Sequence, residues 1–223
     1  MSTLISYNND LKLKESFVAE IEKHRKADAI EKGHYGKENG QWKGCTVACS
    51  LRSLAILQGK KLQTNYSNHE ELANEILGGQ EWLAKLEDTI FEGLPVEESK
   101  LWPEQFAKAV PVGVNLESVK WKFCVFILKE NIDRVLSLKI DDILKKQVVD
   151  AIRGVLSLHE NAIKTGKWAA WNAESAARAA SAAWSAVRSA ESAASAASAA
   201  SAALSAAYKR YAKELLKLLE NAK

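Results

Sequence analysis

The sequence predicts an all-α protein: a compact multi-helix N-terminal domain followed by one very long Ala/Ser-rich C-terminal helix. Two observations carry that expectation. Apolar residues recur at helical spacings of three and four along the first three quarters of the chain, and no segment shows clean strand alternation. From Lys167 onward the chain is an alanine/serine tract punctuated by tryptophan, arginine and glutamate, without proline or glycine, and alanine is the best helix former. Gly166 marks the boundary, so residues 1–166 are expected to form the globular body and 167–223 the long helix.

The body divides at its caps and breakers. Asn9 or Asp10 can cap a first helix over about residues 11–32, which Gly33 ends. Its inward face reads Phe17, Ile21, His24 and Asp28. A glycine-spaced loop, GHYGKENGQWKG, follows. A second helix opens at Cys45–Thr46 and runs to Gln58, with Val47, Leu51, Leu54 and Leu57 inward. Ser67 or Asn68 starts a third helix as a capping box, SNHEE, and Gly78–Gly79 stops it. Residues 80–92 repeat the pattern through Leu83, Leu86 and Ile90 until Pro95 breaks it. Pro103 is expected at the first position of a short helix closed by Pro111–Gly113. Asn115 caps the apolar stretch LESVKWKFCVFILKE, read as a buried helix rather than a strand. Residues 140–165 form a further amphipathic helix.

Within the tail, Leu204, Tyr208, Tyr211, Leu215 and Leu218 step by four and three as a heptad seam. Traced backwards the seam becomes Ser201, Ala197, Ala194, Ala190 and Val187, with Trp184 beside them. It is bulky at its C-terminal end and small-sided in its middle. A continuous helix would be about 80 Å long, against a radius of gyration of about 15 Å for the body. Such an overhang predicts self-association, so a homo-oligomer is expected. Trp168, Trp171 and Trp184 read as packing locks within this tract, with ligand stacking as the alternative.

Composition narrows the classes. The formal charge is +3, with −1 over residues 1–166 and +4 over 167–223. That is too dilute for duplex nucleic-acid binding, which needs clustered Lys/Arg. Three cysteines, an odd number, fit reduced thiols in a cytosol better than a disulfide scaffold. The N-terminus MSTLISYNNDLKLKE lacks a long apolar core, and no stretch reaches the ~20 apolar residues of a membrane span. A cytoplasmic protein with no membrane partner is expected.

Chemistry-bearing residues gather between positions 24 and 46. His24 and Asp28, four apart, could share one helix face, where the carboxylate would orient the imidazole. The segment GKENGQWKGCTVACSL leads a glycine-rich loop into a helix start. Free backbone N–H groups at Gly44, Cys45 and Thr46, with Lys43 beside them, suit a small anion, and His34, Tyr35 and Trp42 could wall it. The same position would favour a thiolate at Cys45. The alternative is therefore a cysteine-dependent hydrolase or transferase with Cys45 as nucleophile, His24 as base and Asp28 orienting it. The QWKGC…AC arrangement faintly resembles the entry to a papain-like nucleophile helix, though the histidine-bearing sheet of that fold is not expected here. A phosphate-cradling GxxxxGK[ST] loop is absent. His34, Cys45 and Cys49 could form a partial zinc set, and Glu87, Asp88 and Glu92 an acidic cluster, but neither has the spacing of a full site. No metal and no cofactor are expected.

The ordered segments HRKADAIEKGHY, KGCTVACSL, WLAKLEDTIFEGLP and LWPEQFAKAVPVGVNLESV, with the triplet tail, resemble a family of bacterial and phage-borne proteins. Its members pair a helical N-terminal domain with Ala/Ser/Trp repeats of variable length. The resemblance brings no activity; it implies a mobile-element or phage context, in which small proteins often counter host defence, sometimes by sequestering signalling nucleotides. The expectation is a non-enzymatic, self-associating helical protein binding a small anionic ligand such as a nucleotide. A purely structural assembly protein is the third possibility.

Overall fold

The computed structural model describes residues 5–33, 35–38, 41–60, 68–167 and 197–223, with 35–38, 41 and 197–202 described by backbone alone. The chain is mostly helical. In order it forms α1 (Leu11–Lys26), β1 (Tyr35–Glu38), β2 (Gln41–Gly44), α2 (Thr46–Leu57), α3 (His69–Ile76), α4 (Glu81–Gly93), α5 (Val96–Ala109), α6 (Glu117–Ser137), α7 (Asp142–Thr165) and α8 (Ala197–Glu220). Among the described residues, no helix is long and apolar enough to cross a membrane. The chain forms two compact units, residues 1–117 with 204–223, and residues 118–203.

In the first unit α1 packs on α5 and α2, and α3 on α4. Its centre holds fully buried Phe17, Ile21, Leu72, Ile76, Leu83, Ile90, Phe91 and Trp102. Caps placed from the sequence are present: Asp10 accepts from Lys12 N at 2.8 Å and Leu13 N at 3.1 Å, and Asn68 from Glu71 N at 3.1 Å. Ser6 ties the N-terminal segment down, its hydroxyl donating to Pro111 O at 2.6 Å. Tyr7, completely buried, donates to Ala107 O at 2.8 Å. In the second unit α6 and α7 share a core of Val135, Val148, Val149 and Ile152. The apolar run Phe123–Leu128 lies inside α6, so it is helix. Asp141 caps α7, and Gly166, at a φ of 65°, ends it.

Four local expectations change. α1 stops at Lys26, because Asp28 adopts a left-handed φ of 51°. Ala29 N then bonds His24 O at 3.0 Å and Asp28 N bonds Arg25 O at 3.1 Å. These are the two bonds of a Schellman stop, with aspartate in the place usually taken by glycine. The expected glycine-rich loop contains an antiparallel hairpin, registered Tyr35↔Gly44 to Glu38↔Gln41. Pro103 lies inside α5 instead of starting a helix. The interior proline removes a backbone bond, while Trp102 and Phe106 are buried on either side of it. Leu57, expected inward, is 36% exposed at the end of α2.

The C-terminal seam is used within the chain from Tyr208 onward. Leu215 is fully buried, but the expected Leu218 is half-buried and the neighbouring Leu219 takes the buried place, whereas Leu204 is 58% exposed. Lys209 Nζ pairs with Glu98 Oε1 at 2.5 Å. The Tyr208 ring lies so close to Gly93 that a Cβ there would overlap it. Trp168, Trp171, Trp184 and the small-sided stretch around Val187, Ala190 and Ala194 lie outside the described residues.

Gly93→Ala should therefore destabilise the protein by about 1–3 kcal/mol in urea unfolding, although alanine has the higher helix propensity. In a Tyr208→Ala background the same change should lose that penalty. Equal or greater stability of the single variant would show that the ring does not seat on Gly93.

Candidate functional site

The site is assembled where the chain leaves α1 and meets the end of β2. The left-handed turn at Asp28 sends residues 29–33 alongside the hairpin. Gly44 N donates to Ala29 O at 2.9 Å and Glu31 N donates to Gly44 O at 2.9 Å, which makes Ile30 and Gly44 a short parallel bridge. A side chain at Gly44 is excluded. Its Cβ would come within 2.5 Å of the Trp42 ring and 2.8 Å of Ala48 Cβ.

Trp42 and Lys43 are consecutive in β2, so their side chains leave on opposite faces. The indole lies 5.3 Å from the His24 ring at 44°, and the Arg52 guanidinium stands 4.5 Å over its face, within cation–π range. His24 is buried, and its Nε2 has no hydrogen-bond partner. Desolvation, aided by Arg52, lowers its pKa from 6.5 to about 4. It is therefore neutral near pH 7. Because the folded value is the lower one, stability from neutral His24 is complete above about pH 6.5 and is lost as pH falls towards 4.

On the other face Lys43 pairs with Glu31 at 2.7 Å. It borders an open cleft of 310 Å³ that also gathers Asp28, Lys32, Ser99 and Lys100 around Ile30 and Val96. Lys100 Nζ bonds Asp28 Oδ1 at 2.8 Å; that bond holds the Asp28 carboxyl below the usual carboxylate range and the Lys100 ammonium above the lysine range. The Lys32 ammonium donates to the carbonyls of Glu92, at 2.9 Å, and Leu94. Burial pulls its pKa down, against the opposing pull of Glu92. Three lysines and two acidic residues thus line one depression, beside the first turn of α5. Glu97 acts on Lys100 and Glu92 on Lys32 from just outside it.

Of the residues singled out by sequence, the structure brings Asp28 and Lys43 to this cleft and places His24 and Trp42 together on the opposite face. The expected His24–Asp28 pair does not form, because α1 ends between them and Asp28 turns to Lys100. Cys45 is 1% exposed and Thr46 fully buried, so the first turn of α2 is closed by protein. The His24–Asp28 half of the relay Cys45–His24–Asp28 is not assembled. Tyr35 pairs with Gly44 through the backbone register, and His34 lies outside the described residues. Lys32, Ser99, Lys100 and Arg52 are partners that local sequence patterns do not reveal. Lys100 reaches Asp28 from 72 positions away.

The cysteines and acidic residues take interior or separate places. Cys49 Sγ donates to Gly44 O at 3.3 Å, and burial, followed by Cys45 and Glu87, raises its thiol well above the ordinary value. Glu87 is fully buried and accepts from the Thr46 hydroxyl through Oε1, while Oε2 has no partner. Asp88 instead meets His69 Nε2 at 3.1 Å, and Glu92 Oε1 accepts from Gly33 N at 3.1 Å. The acidic cluster is thus split three ways. Among the described residues, no group of three His, Cys, Asp or Glu side chains could hold a metal ion. Comparison with family models, curated proteins and solved structures gives no match to this chain.

Burial raises the Glu87 pKa well above 4.5 despite the Thr46 bond. The folded state then holds a proton that the unfolded state releases above about pH 4.5, so stability falls as pH rises. Glu87→Gln keeps an acceptor for Thr46 and removes that proton linkage. It should match wild type near pH 4 and be the more stable of the two at pH 8, measured by urea unfolding. A variant less stable than wild type at pH 8 would contradict a neutral, buried Glu87.

Proposed function

We propose that the protein is a non-enzymatic binding protein that takes a small anionic ligand of about nucleotide size in the cleft formed by Lys32, Lys43 and Lys100. The observation that supports this reading is that three lysines from three separate chain segments line one depression of 310 Å³, at the small end of ligand-pocket volumes. Lys100 pairs with Asp28, whose side chain is 72% exposed. An exposed pair of this kind is weak, so the Lys100 ammonium can turn to an incoming anion at low cost. A phage-borne role in sequestering a signalling nucleotide is the setting that the family resemblance suggests.

In thermal unfolding of the full chain, mononucleotides at about one hundred times their Kd should raise stability by about 2.7 kcal/mol, and the gain should shrink with added salt. Lys43→Ala/Lys100→Ala should abolish the gain while leaving the unliganded midpoint nearly unchanged. An unaltered midpoint for the wild type across nucleotides and other phosphates would sink the reading.

The alanine-rich tract belongs to the same proposal as a self-association element, supported by its small-sided seam at Ala190 and Ala194. Light scattering should show an oligomer for wild type and a lower mass for Ala190→Glu/Ala194→Glu. An unchanged mass would remove that seam from the assembly.

A further inference from the structure

The cleft is not a plain basic pocket. Asp28 and Glu31 stand among its lysines, and for a bare phosphate these carboxylates are a liability, since each repels the anion that the ammonium groups attract. The same two groups are assets for a ligand that carries hydroxyl donors beside its anionic group. A carboxylate offers about four acceptor positions. Asp28 accepts Lys100 through Oδ1, at 72% side-chain exposure, so it retains acceptor capacity facing solvent.

Backbone geometry fixes where that carboxylate stands. The left-handed turn at Asp28 ends α1 and projects the side chain towards Lys100. Glu31 is positioned from the opposite end of the same segment by its N–H bond to Gly44 O. Two acceptors therefore stand beside the Lys43 and Lys100 ammonium groups. The donors match a phosphate, and the acceptors match hydroxyls on the carbon skeleton that bears it.

We infer that the cleft selects a phosphorylated polyol, the phosphate held by Lys43 and Lys100 and adjacent hydroxyls donating to Asp28 and Glu31. A ribose phosphate has this arrangement; its 2-deoxy analogue lacks one of the donors. This inference rests on the anion-binding reading of the same cleft and adds Asp28 and Glu31 as the residues that determine specificity.

Isothermal titration of the full chain with ribose 5-phosphate, 2-deoxyribose 5-phosphate and inorganic phosphate tests it. Ribose 5-phosphate should bind about tenfold more tightly than 2-deoxyribose 5-phosphate, one hydrogen bond to a charged acceptor being worth roughly that factor, and inorganic phosphate, which lacks every hydroxyl, should bind more weakly still. Asp28→Asn keeps a residue tolerant of positive φ. It should bind inorganic phosphate more tightly than wild type and lose the preference for ribose 5-phosphate. Equal binding of all three by wild type would overturn the polyol inference and leave anion binding standing. Retention of the preference in Asp28→Asn would overturn the role of Asp28. Binding of none of them would overturn both the inference and the reading beneath it.

Discussion

A tryptophan ring laid over a glycine holds the candidate site in place. Trp42 leaves no room for a side chain at Gly44, and Gly44 exchanges two backbone hydrogen bonds with the segment that follows α1. His24 and Arg52 flank the indole. Remove the ring and β2 loses its apolar seat; enlarge the glycine and the ring must move. Either change would displace Lys43, which follows Trp42 on the opposite face of the strand. Packing on one side of β2 is thereby converted into charge placement on the other.

The same junction explains why polar groups in this region differ so much in character. On the Trp42 side the environment is apolar. His24 stays neutral there, the Cys49 thiol is pushed up, and further inside burial pushes the Glu87 carboxyl up. On the Lys43 side Asp28 and Lys100 are both held in their charged forms. Reactive chemistry at Cys45 would require an accessible thiolate, which a side chain 1% exposed does not present. Reversible binding by charge requires only exposed ammonium groups and a concave surface. The cleft has both.

Much of the helical frame was legible because its signals are local. Asp10, Asn68 and Asp141 each cap the helix that follows, and Gly166 stops α7. The hairpin was also legible. Asn39-Gly40 stands between the paired Glu38 and Gln41 and is the strongest short hairpin signal, but four glycines in twelve residues obscured it as a loop. Asp28 misled through a different cause: it took the left-handed position that usually marks glycine, so the helix face drawn from Phe17 to Asp28 was one turn too long. The cleft could not be drawn from sequence at all. Asp28, Lys43 and Lys100 are joined by tertiary packing of α1, β2 and α5, and no spacing rule links positions so far apart.

The binding surface itself is most directly tested by titrating ¹⁵N-labelled full chain with ribose 5-phosphate and following amide shifts by NMR. The expected result is a saturable set of perturbations confined to residues 28–32, 43–44 and 96–100, with the interior of α2 unmoved. Perturbations centred on Cys45–Cys49, or scattered with no cluster at the three lysines, would contradict a ligand site in this cleft.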